Sequence, residues 1–546
     1  MAEVTTLSEA VRELVHDGDT VALEGFTHLI PFAAGQEIIR QQRRHLTLVR
    51  LTPDVIFDQM IGMGVADVLI FSWGGNPGVG SLHRFRDAIE RGWPAPLRIE
   101  EHSHAGMANR YVAGASHLPF AVVRGSAGTD LVTQTPTLAP ITCPFTGEQL
   151  TVVAALNPDV SIIHAQQADR QGNVMLWGIT GVQKEAVLSA KQAIITVEEM
   201  VDELVPRPQA IVIPHWAITA VAVVPNGAYP SYAQDYSERD NGFYIGWDAI
   251  SRDRQVFLRW MEDNVLHRSD ATLSAVGEAG SGALVSSAND TDAMARATAD
   301  ELTTVAAARR LRDGAVCFVG IGKPGVAANL ARRTHAPRCV LVYESGTIGA
   351  KPRQLPLSIG DGELAQTADL IVPLPEVFNY WLAGGWIDVG FLGAAQIDRR
   401  GNINTTVIGE YDHPTVRLPG AGGAPEIAAC AREVFVIATH SLRVFVDHLD
   451  FLTSAGALDG PGARSALGLP GRGVTTVITD LGVLTLDEQA GELCLTAVHE
   501  GVTVADVVAA TGWPLRVSAS VSVEPPPTAT ELAALRELLA AGPSPA

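Results

Sequence analysis

The chain has 546 residues, of which 47% are apolar and 18% are charged. At roughly 100 to 200 residues per domain, this length allows two to four domains, and the composition excludes a largely disordered chain. The formal net charge is −21 and no run of Lys and Arg concentrates positive potential, so we expect neither a nucleic-acid partner nor a membrane-surface partner.

The cysteine spacing and the first residues indicate the cellular compartment in which we expect the protein. The five cysteines lack CxxC spacing, which predicts reduced, mostly buried thiols in a cytoplasmic protein. The first residues, Met-Ala-Glu-Val-Thr-Thr, lack the basic and apolar regions of a secretion signal, and nowhere do 18 apolar residues run together. We therefore expect neither secretion nor a membrane span.

Residues 6–26 form the first predicted α/β unit. A segment with helical periodicity runs to Asp-Gly at 17–18, and a short apolar strand and a glycine turn follow. Residues 304–322 repeat this order, with Asp-Gly at 313–314. Elsewhere, short β-branched runs alternate with helix-length stretches and Gly/Pro punctuation, which is typical of βαβ units around a mostly parallel sheet.

The loop GGNPGVGSLHRFRD at residues 74–87 combines glycines with a basic cluster of His83, Arg84 and Arg86. Backbone amides and guanidinium groups together suit a carboxylate or a phosphate. The alternative is an ordinary loop followed by the exposed basic start of a helix.

Two histidines, His102 and His104, follow a pair of glutamates. Alternate residues of a strand share one face, so the two histidines have a spacing that metal ligands use. No third ligand with recognisable spacing accompanies them. We interpret them as polar residues at a strand end and predict no metal site.

An internal repeat indicates how the chain is organised. Residues 159–174 and 388–403 are identical at eight of sixteen positions, at a constant offset of 229 without gaps. The repeat predicts two similar α/β domains with mostly parallel sheets and flanking helices, arranged as a pseudo-dimer. Such an arrangement favours a site in the cleft between the two copies.

Composition also marks the domain boundaries. Residues 286–302 are rich in Ser, Asp and Ala and lack a sustained apolar face, which predicts a linker between domains at 1–285 and 303–522. The Pro-rich segment VEPPPTAT then opens a C-terminal tail at 523–546 that contains a short helix.

Gly320, Gly322 and Gly325 form a GxGxxG pattern between an apolar strand and a helix. Because Glu344 follows Gly322 by 22 residues, the pattern leaves a dinucleotide site and an NAD-dependent dehydrogenase open. Pro324 lies where backbone N–H groups should meet a pyrophosphate, which favours a glycine turn that lets some other ligand approach the backbone.

Glu344 directly follows an apolar strand in the segment LVYESGTIGAKP. Ligands of open α/β sheets gather at the C-terminal ends of strands, so this acid is a candidate functional residue. A glutamate that only caps a turn is the alternative. Alignment of the two copies places Leu51 opposite Glu344, so we expect only the second copy to carry the acid.

The second half resembles the β subunits of family I CoA transferases in YESGTIGAKP, LPLSIGDGELAQTADLIVP, IDVGFLGAAQIDRRGNINTTVIG and RLPGAGGAPEIA. The first half is similar to the α subunits in EGFTHLIPFAAG, TPDVIFDQMIGMG, GGNPGVGSLHRFRDAIE and IEEHSHAGMANRY. The resemblance covers residues 1–520 and implies an α-like and a β-like part fused in one chain.

This resemblance implies an enzyme that moves CoA from an acyl-CoA to a carboxylate. It points to succinyl-CoA as the donor and 3-oxoadipate as the acceptor, in aromatic catabolism. Glu344 matches the family's catalytic glutamate, which forms a mixed anhydride and then a glutamyl-CoA thioester. Gly393 matches a glycine whose backbone N–H is associated with the oxyanion hole, whereas the first copy carries His164 there; a tight turn is the alternative. CoA is then a co-substrate, and no permanently bound cofactor is implied.

The resemblance also suggests substrate-binding positions in both halves. The second copy contributes the candidates Gly320, Gly322, Lys351 and Gln396, the first three of them for CoA. The α-like loops contribute Asn76 and Ser81 as candidates for the acceptor. Independently of the resemblance, the basic cluster after the glycine loop makes Arg84 and Arg86 the candidates for a distal carboxylate of the acceptor. We also expect a homo-oligomer, a dimer of the fused chain.

Other functions stay open on the sequence. A glutaconate-type CoA transferase and a CoA-ester hydrolase would use the same fold. An NAD-dependent dehydrogenase would use Glu344 to bind a ribose. A non-catalytic CoA-binding protein would require Glu344 to be inert.

Overall fold

The first half of the chain builds a sheet from strands that alternate with helices along the sequence. The computed structural model describes residues 2–267 and 297–542. The strands of the first half are β1 (Glu3–Val4), β2 (Thr20–Glu24), β3 (Leu46–Val49), β4 (Ala66–Phe71), β5 (Arg98–Glu101), β6 (Phe120–Val123), β7 (Leu138–Thr142), β8 (Gln149–Ala154), β9 (Val160–Asp169), β10 (Val174–Leu176), β11 (Gln192–Val201), β12 (Ile211–Ile213) and β13 (Ala220–Val223). The helices are α1 (Leu7–Leu14), α2 (Phe32–Arg40), α3 (Val55–Gly62), α4 (His83–Arg91), α5 (His104–Ala115), α6 (Leu131–Gln134), α7 (Gln183–Ser189), α8 (Asn241–Arg252) and α9 (Arg254–Met261), with a 3₁₀ turn at His215–Ala217 and a π-helical turn at Glu262–Leu266.

The main sheet of the first half runs in the order β1-β13-β11-β9-β2-β3-β4-β5. Every neighbouring pair along this path is parallel. β10 pairs antiparallel with both β9 and β12 at the side of this path. β6, β8 and β7 form a separate antiparallel sheet.

The second half repeats this plan and adds antiparallel strands at both edges. Its strands are β14 (Val316–Phe318), β15 (Val340–Val342), β16 (Thr347–Ile348), β17 (Leu370–Ile371), β18 (Val389–Leu392), β19 (Gln396–Ile397), β20 (Ile403–Asn404), β21 (Val407–Gly409), β22 (Pro414–Arg417), β23 (Glu433–Ala438), β24 (Val474–Thr479), β25 (Gly482–Asp487), β26 (Glu492–Val498) and β27 (Arg516–Val523). Its helices are α10 (Ala299–Arg309), α11 (Lys323–Arg333), α12 (Gly362–Thr367), α13 (Leu374–Glu376), α14 (Ala424–Cys430), α15 (Ala463–Ala466), α16 (Val504–Ala509) and α17 (Ala529–Ala540), with a π-helical turn at Val377–Leu382.

The sheet of the second half runs β17-β16-β15-β14-β18-β23-β24-β25-β26-β27. Its central strands β15-β14-β18-β23-β24 are parallel and have the same order as β3-β2-β9-β11-β13 of the first half. Two similar α/β domains with mostly parallel sheets are therefore confirmed.

The repeated sequence motif has the same structural task in both halves. Its first residue, Asp159 or Asp388, precedes β9 or β18. Asp159 Oδ2 accepts a hydrogen bond from the backbone N–H of Thr20 at 2.8 Å, and Asp388 Oδ2 accepts one from Val316 at 3.0 Å. Each aspartate thus fixes the start of the neighbouring central strand, which accounts for the identity of the two copies at this position.

The linker prediction falls mainly on residues that the structure does not cover. Residues 286–296 lie outside the described residues, whereas 299–302 form the first turn of α10. A capping box of Thr298 and Glu301 begins that helix. The C-terminal helix α17 is tied to α10 by ion pairs such as Arg309 with Glu531, at 2.6 Å.

Apolar clusters fill each half and also the space between the halves. One cluster combines Phe26 and Tyr111 of the first half with Phe318 and Phe378 of the second. Over residues 2–267 and 297–542, no helix is long and apolar enough to cross a membrane. The cysteines are free thiols, and three of the five are buried: Cys317, Cys339 and Cys430.

Candidate active site

A cavity of about 400 Å³ lies between the two halves of the chain. Its lining combines Phe26 and His104 of the first half with Glu344, Gly393 and Gly423 of the second. The two candidates Glu344 and Gly393 therefore both lie in a cleft between the halves, where the sequence predicted the site. Both halves are required to build this site.

Glu344 follows β15 and reaches the cavity with a side chain that is 18% exposed. Its Oε2 lies 3.2 Å from Nδ1 of His104, which comes from the other half. Its Oε1 lies close to Gly423, where an added Cβ atom would be only 2.4 Å away. The carboxylate is therefore held between a histidine and a glycine while it still faces the cavity.

The N-terminus of α5 supplies two contacts to carboxyl groups of the second half. Ser103 caps the helix by accepting a hydrogen bond from the N–H of Gly106, and its hydroxyl donates to Oε1 of Glu426 at 2.6 Å. His104, the first residue of α5, faces Glu344. The two histidines expected at a strand end thus lie beyond β5, and His104 belongs to a helix.

Glu426 is a second buried carboxyl group close to this site. Burial raises its pKa to about 8, with a further contribution from the charge of Glu344, while the hydrogen bond from Ser103 opposes the rise. Its Oε2 has no hydrogen-bond partner in the described part of the chain. At neutral pH the protonated acid is therefore the favoured form.

Of the three candidate glycines of the second half, two line the cavity and one does not. Gly320 and Gly393 line the cavity, and an added Cβ atom on either would meet nothing within 4 Å. Gly322 is not among the cavity-lining residues; it is the N-cap residue of α11 and has φ 71°, a conformation that favours glycine. At the position equivalent to Gly393, His164 is buried and its ring nitrogens lie within hydrogen-bonding distance of Thr196 and Glu198.

The structure does not bring Arg84 and Arg86 to the cavity. Arg84 is buried, pairs with Asp87 at 3.1 Å, and packs over the Trp93 ring. Arg86 pairs with Glu90 at 2.8 Å. Because α4 directs both guanidinium groups to partners of the first half, we leave them out of the proposed acceptor site.

Four other candidates also stay away from the cavity lining. Asn76 is buried and donates to the carbonyl of Tyr244 at 2.6 Å. Gln396 is buried and donates to Asp450 at 2.9 Å, and Lys351 forms an ion pair with Asp369. Ser81, the fourth, lies just before α4 and is half-buried. Local partners therefore already occupy the side-chain NH2 group of Asn76 and the polar groups of Gln396 and Lys351.

Arg50 and Asp54 are cavity residues that the sequence patterns did not single out. Arg50 donates to Asp54 Oδ1 and to the carbonyl of Gly25, each at 2.9 Å. Arg50 Nε and Asp54 Oδ2 have no hydrogen-bond partner within the described residues. Burial raises the pKa of Asp54, and it raises the pKa of the nearby Glu24 to about 7. Among the described residues that line the cavity, Arg50 is the only Lys or Arg.

The sequence singled out His104 only as a possible metal ligand, and no local signal could have identified its contact with Glu344 or the positions of Arg50 and Gly423. Arg50 ends an apolar strand in LTLVRLT, which is also how a structural arginine is placed. His104 and Glu344 are separated by 240 residues and meet only across the domain interface. Gly423 belongs to the glycine-rich segment RLPGAGGAPEIA, but its role depends on the approach of Glu344.

Known proteins place the chain in a family. The model of the coenzyme A transferase family matches residues 4–223 and 301–510. One of the two subunits of 3-oxoadipate CoA-transferase from Pseudomonas knackmussii is 61% identical over 270 residues, which are 50% of this chain and 96% of that subunit. The other subunit of the same enzyme is 59% identical over 245 residues, which are 45% of this chain and 94% of that subunit.

A solved structure agrees with this assignment at the level of the fold. An acyl-CoA transferase from E. coli O157:H7, in a thioester complex with CoA, has a TM-score of 0.70 to this chain at 18% identity. The match covers 96% of this chain and 95% of the other. The chain is therefore a CoA transferase that belongs to the coenzyme A transferase family, with parts similar to two separate subunits joined in one polypeptide.

Proposed function

We propose that this enzyme transfers CoA from succinyl-CoA to 3-oxoadipate through a glutamyl-CoA thioester on Glu344. The similarity of the two halves to the two subunits of a 3-oxoadipate CoA-transferase carries the choice of substrate. The position of Glu344 in the cavity between the halves supports its role as nucleophile. Aromatic catabolism is the corresponding metabolic setting.

In this proposal the reaction begins when the Glu344 carboxylate attacks the thioester carbon of succinyl-CoA. The C–S bond breaks and leaves a mixed anhydride and the CoA thiolate. The thiolate then attacks the glutamyl carbon, which releases succinate and forms the glutamyl-CoA thioester. The 3-oxoadipate carboxylate takes over CoA by the same steps in reverse order, so the enzyme follows ping-pong kinetics.

The cavity supports this chemistry in two ways. Gly393 exposes its backbone without a side chain, so its N–H is our candidate for the donor that stabilises the oxyanion on the acyl carbon. Apolar walls, among them Phe26, Phe318 and Ile427, restrict water near the reactive anhydride. Gly320 stays a candidate for contact with CoA because it also lines the cavity.

A dicarboxylate acceptor needs a partner for the carboxylate that does not react. We assign this role to Arg50. Among the described residues that line the cavity it is the only Lys or Arg, and its Nε has no hydrogen-bond partner within the described part of the chain. A desolvated hydrogen bond between charged groups contributes roughly 1.5 to 3 kcal/mol. Arg50 thus replaces Arg84 and Arg86 in the proposed acceptor site.

The decisive experiment follows CoA from donor to acceptor in the purified full chain. We expect succinyl-CoA and 3-oxoadipate to give succinate and 3-oxoadipyl-CoA by mass spectrometry, with an intact-protein mass that gains one CoA moiety when the acceptor is omitted. Glu344→Ala should lower the rate to below about a hundredth of the wild type and abolish the adduct. Transfer that survives this substitution would contradict covalent catalysis by Glu344.

The same assay separates the neighbouring activities. Hydrolysis of succinyl-CoA to free CoA in the absence of an acceptor would indicate a hydrolase, and preference for glutaconate as the acceptor would indicate a glutaconate-type CoA transferase.

In our proposal, residues 1–285 and 303–522 each supply one wall of the site, and the fused chain forms a homodimer. Light scattering after size exclusion tests the dimer.

A further inference from the structure

The imidazole of His104, which lines the cavity, has incomplete hydrogen bonding. Its side chain is only 3% exposed, and neither ring nitrogen has a partner with hydrogen-bond geometry among the described residues. Nδ1 nevertheless lies 3.2 Å from Oε2 of Glu344. Buried polar groups are almost always hydrogen-bonded. The unpaired imidazole therefore points to a hydrogen bond that it makes during the reaction.

Contacts from both halves hold the imidazole in this orientation. The backbone N–H of His104 donates to the carbonyl of Gly422 at 2.8 Å. The rings of Phe26 and Phe378 meet the imidazole edge-on, each with a centroid distance of 5.9 Å. The preceding residue, Ser103, is tied to Glu426 of the second half. The ring is thus positioned before any substrate binds.

We propose that His104 is a catalytic residue whose Nδ1–H donates a hydrogen bond to the oxygen that stays on the glutamyl carbon of Glu344. This inference rests on the covalent role of Glu344 proposed above. When the CoA thiolate adds to the glutamyl carbon of the anhydride, a C–S bond forms and the carbonyl π electrons move to that oxygen. The carbonyl then re-forms as the C–O bond to the departing carboxylate breaks. No proton is gained or lost.

The geometry of the resting enzyme fits a donor that acts mainly in the transition state. In the resting carboxylate, the negative charge is shared by two oxygens and the contact with His104 is poorly aligned. In the tetrahedral intermediate, a full charge resides on one oxygen. Catalytic hydrogen bonds that are loose in the free enzyme often tighten at this stage, and an interaction gained only there raises kcat.

The test measures how fast the full-length enzyme forms its CoA adduct with succinyl-CoA alone. We expect His104→Ala to slow adduct formation about 100-fold, the usual effect of removing one oxyanion donor, with little change in the KM for succinyl-CoA. His104→Asn places an amide donor near the position of Nδ1, so it should restore the rate to within about tenfold of the wild type. Added imidazole should partly rescue the alanine variant.

A matched control comes from the same segment of chain. His102 is also buried, but its Nε2 already lies 2.9 Å from Glu100 and it does not line the cavity. His102→Asn should therefore leave adduct formation within about threefold of the wild type. If His104→Ala forms the adduct as fast as His102→Asn, the donor role is wrong. If the wild type forms no adduct on Glu344, the proposed function itself fails.

Discussion

Gly423 leaves the space that the Glu344 carboxylate occupies: a Cβ atom on Gly423 would lie 2.4 Å from Oε1 and 3.1 Å from the carboxyl carbon of Glu344. The φ angle of Gly423 is −86°, which any residue adopts without strain. The requirement for glycine at this position is therefore steric. It concerns the side chain of Glu344 and the ring of Phe378, whose Cζ would lie 2.8 Å from the added Cβ, and it leaves the backbone unaffected.

Gly423→Ala should consequently displace the Glu344 carboxylate and shift the buried ring of Phe378, while the backbone keeps its conformation. We expect kcat for CoA transfer to fall by about tenfold or more, since misplacing a reacting group by an ångström costs up to about 100-fold, while Tm changes by only a few degrees. Gly246→Ala is the matched control, because an added Cβ on Gly246 meets nothing within 4 Å. Equal activity of the two variants would show that the Glu344 carboxylate tolerates the methyl group.

Acceptor preference tests the role of Arg50. Arg50→Lys keeps the positive charge but loses the planar donors, so kcat/KM for succinate and 3-oxoadipate should fall by about 10- to 100-fold. The values for acetate and acetoacetate should fall much less. Steady-state kinetics with these four acceptors makes the comparison.

The control for Arg50 is Arg86→Ala, which removes a guanidinium paired with Glu90 outside the cavity lining. It should leave the preference among the four acceptors unchanged. A uniform loss for Arg50→Lys would assign Arg50 to the fold, and a selective loss for Arg86→Ala would return the distal-charge site to α4.

Glu426 should make the stability of the protein depend on pH. Its folded-state pKa is raised from 4.5 to about 8, so the unfolded chain loses this proton first as the pH rises. Folding stability therefore falls between about pH 4.5 and pH 8, by up to roughly 1.4 kcal/mol per pH unit from this group, and is unaffected by it below that window.

Glu426→Gln removes this titration while it keeps a group that accepts a hydrogen bond from Ser103. Relative to the wild type, the variant should gain stability steadily from pH 5 to pH 8. Denaturant titrations at several pH values measure the difference. A difference that is constant with pH would show that Glu426 has similar pKa values in the folded and unfolded states.

The two halves should assemble when they are made as separate chains. The buried ion pair of Glu101 with Arg417 crosses the interface, as do the hydrogen bonds of Ser103 with Glu426 and of Asn109 with Asn379. Residues 1–285 and 297–546, co-expressed, should copurify and transfer CoA within a few-fold of the fused chain. Each half alone should be inactive, and activity of the second half alone would contradict a shared site.

Much of the architecture follows from local patterns in the sequence. The repeat at 159–174 and 388–403 predicts two similar domains. In the structure, the first aspartate of each copy makes the same local hydrogen bond, which joins one central strand to the next. Glu344 is recognisable because a polar residue directly after an apolar strand comes to the ligand-binding edge of a parallel sheet. Both signals depend on residues close in the chain or on a periodic pattern.

The partners of Glu344 were decided only by the tertiary structure. His104 and Gly423 reach the carboxylate from α5 and from the start of α14, and no periodicity relates these elements. The basic cluster at 83–86 looked like an anion site, but α4 turns Arg84 into an apolar environment with its own acid partner, while Arg50 faces the cavity. Which arginine meets the cavity depends on tertiary packing, within the first half for Arg84 and between the two halves for Arg50, and neither kind of packing leaves a local trace in the sequence.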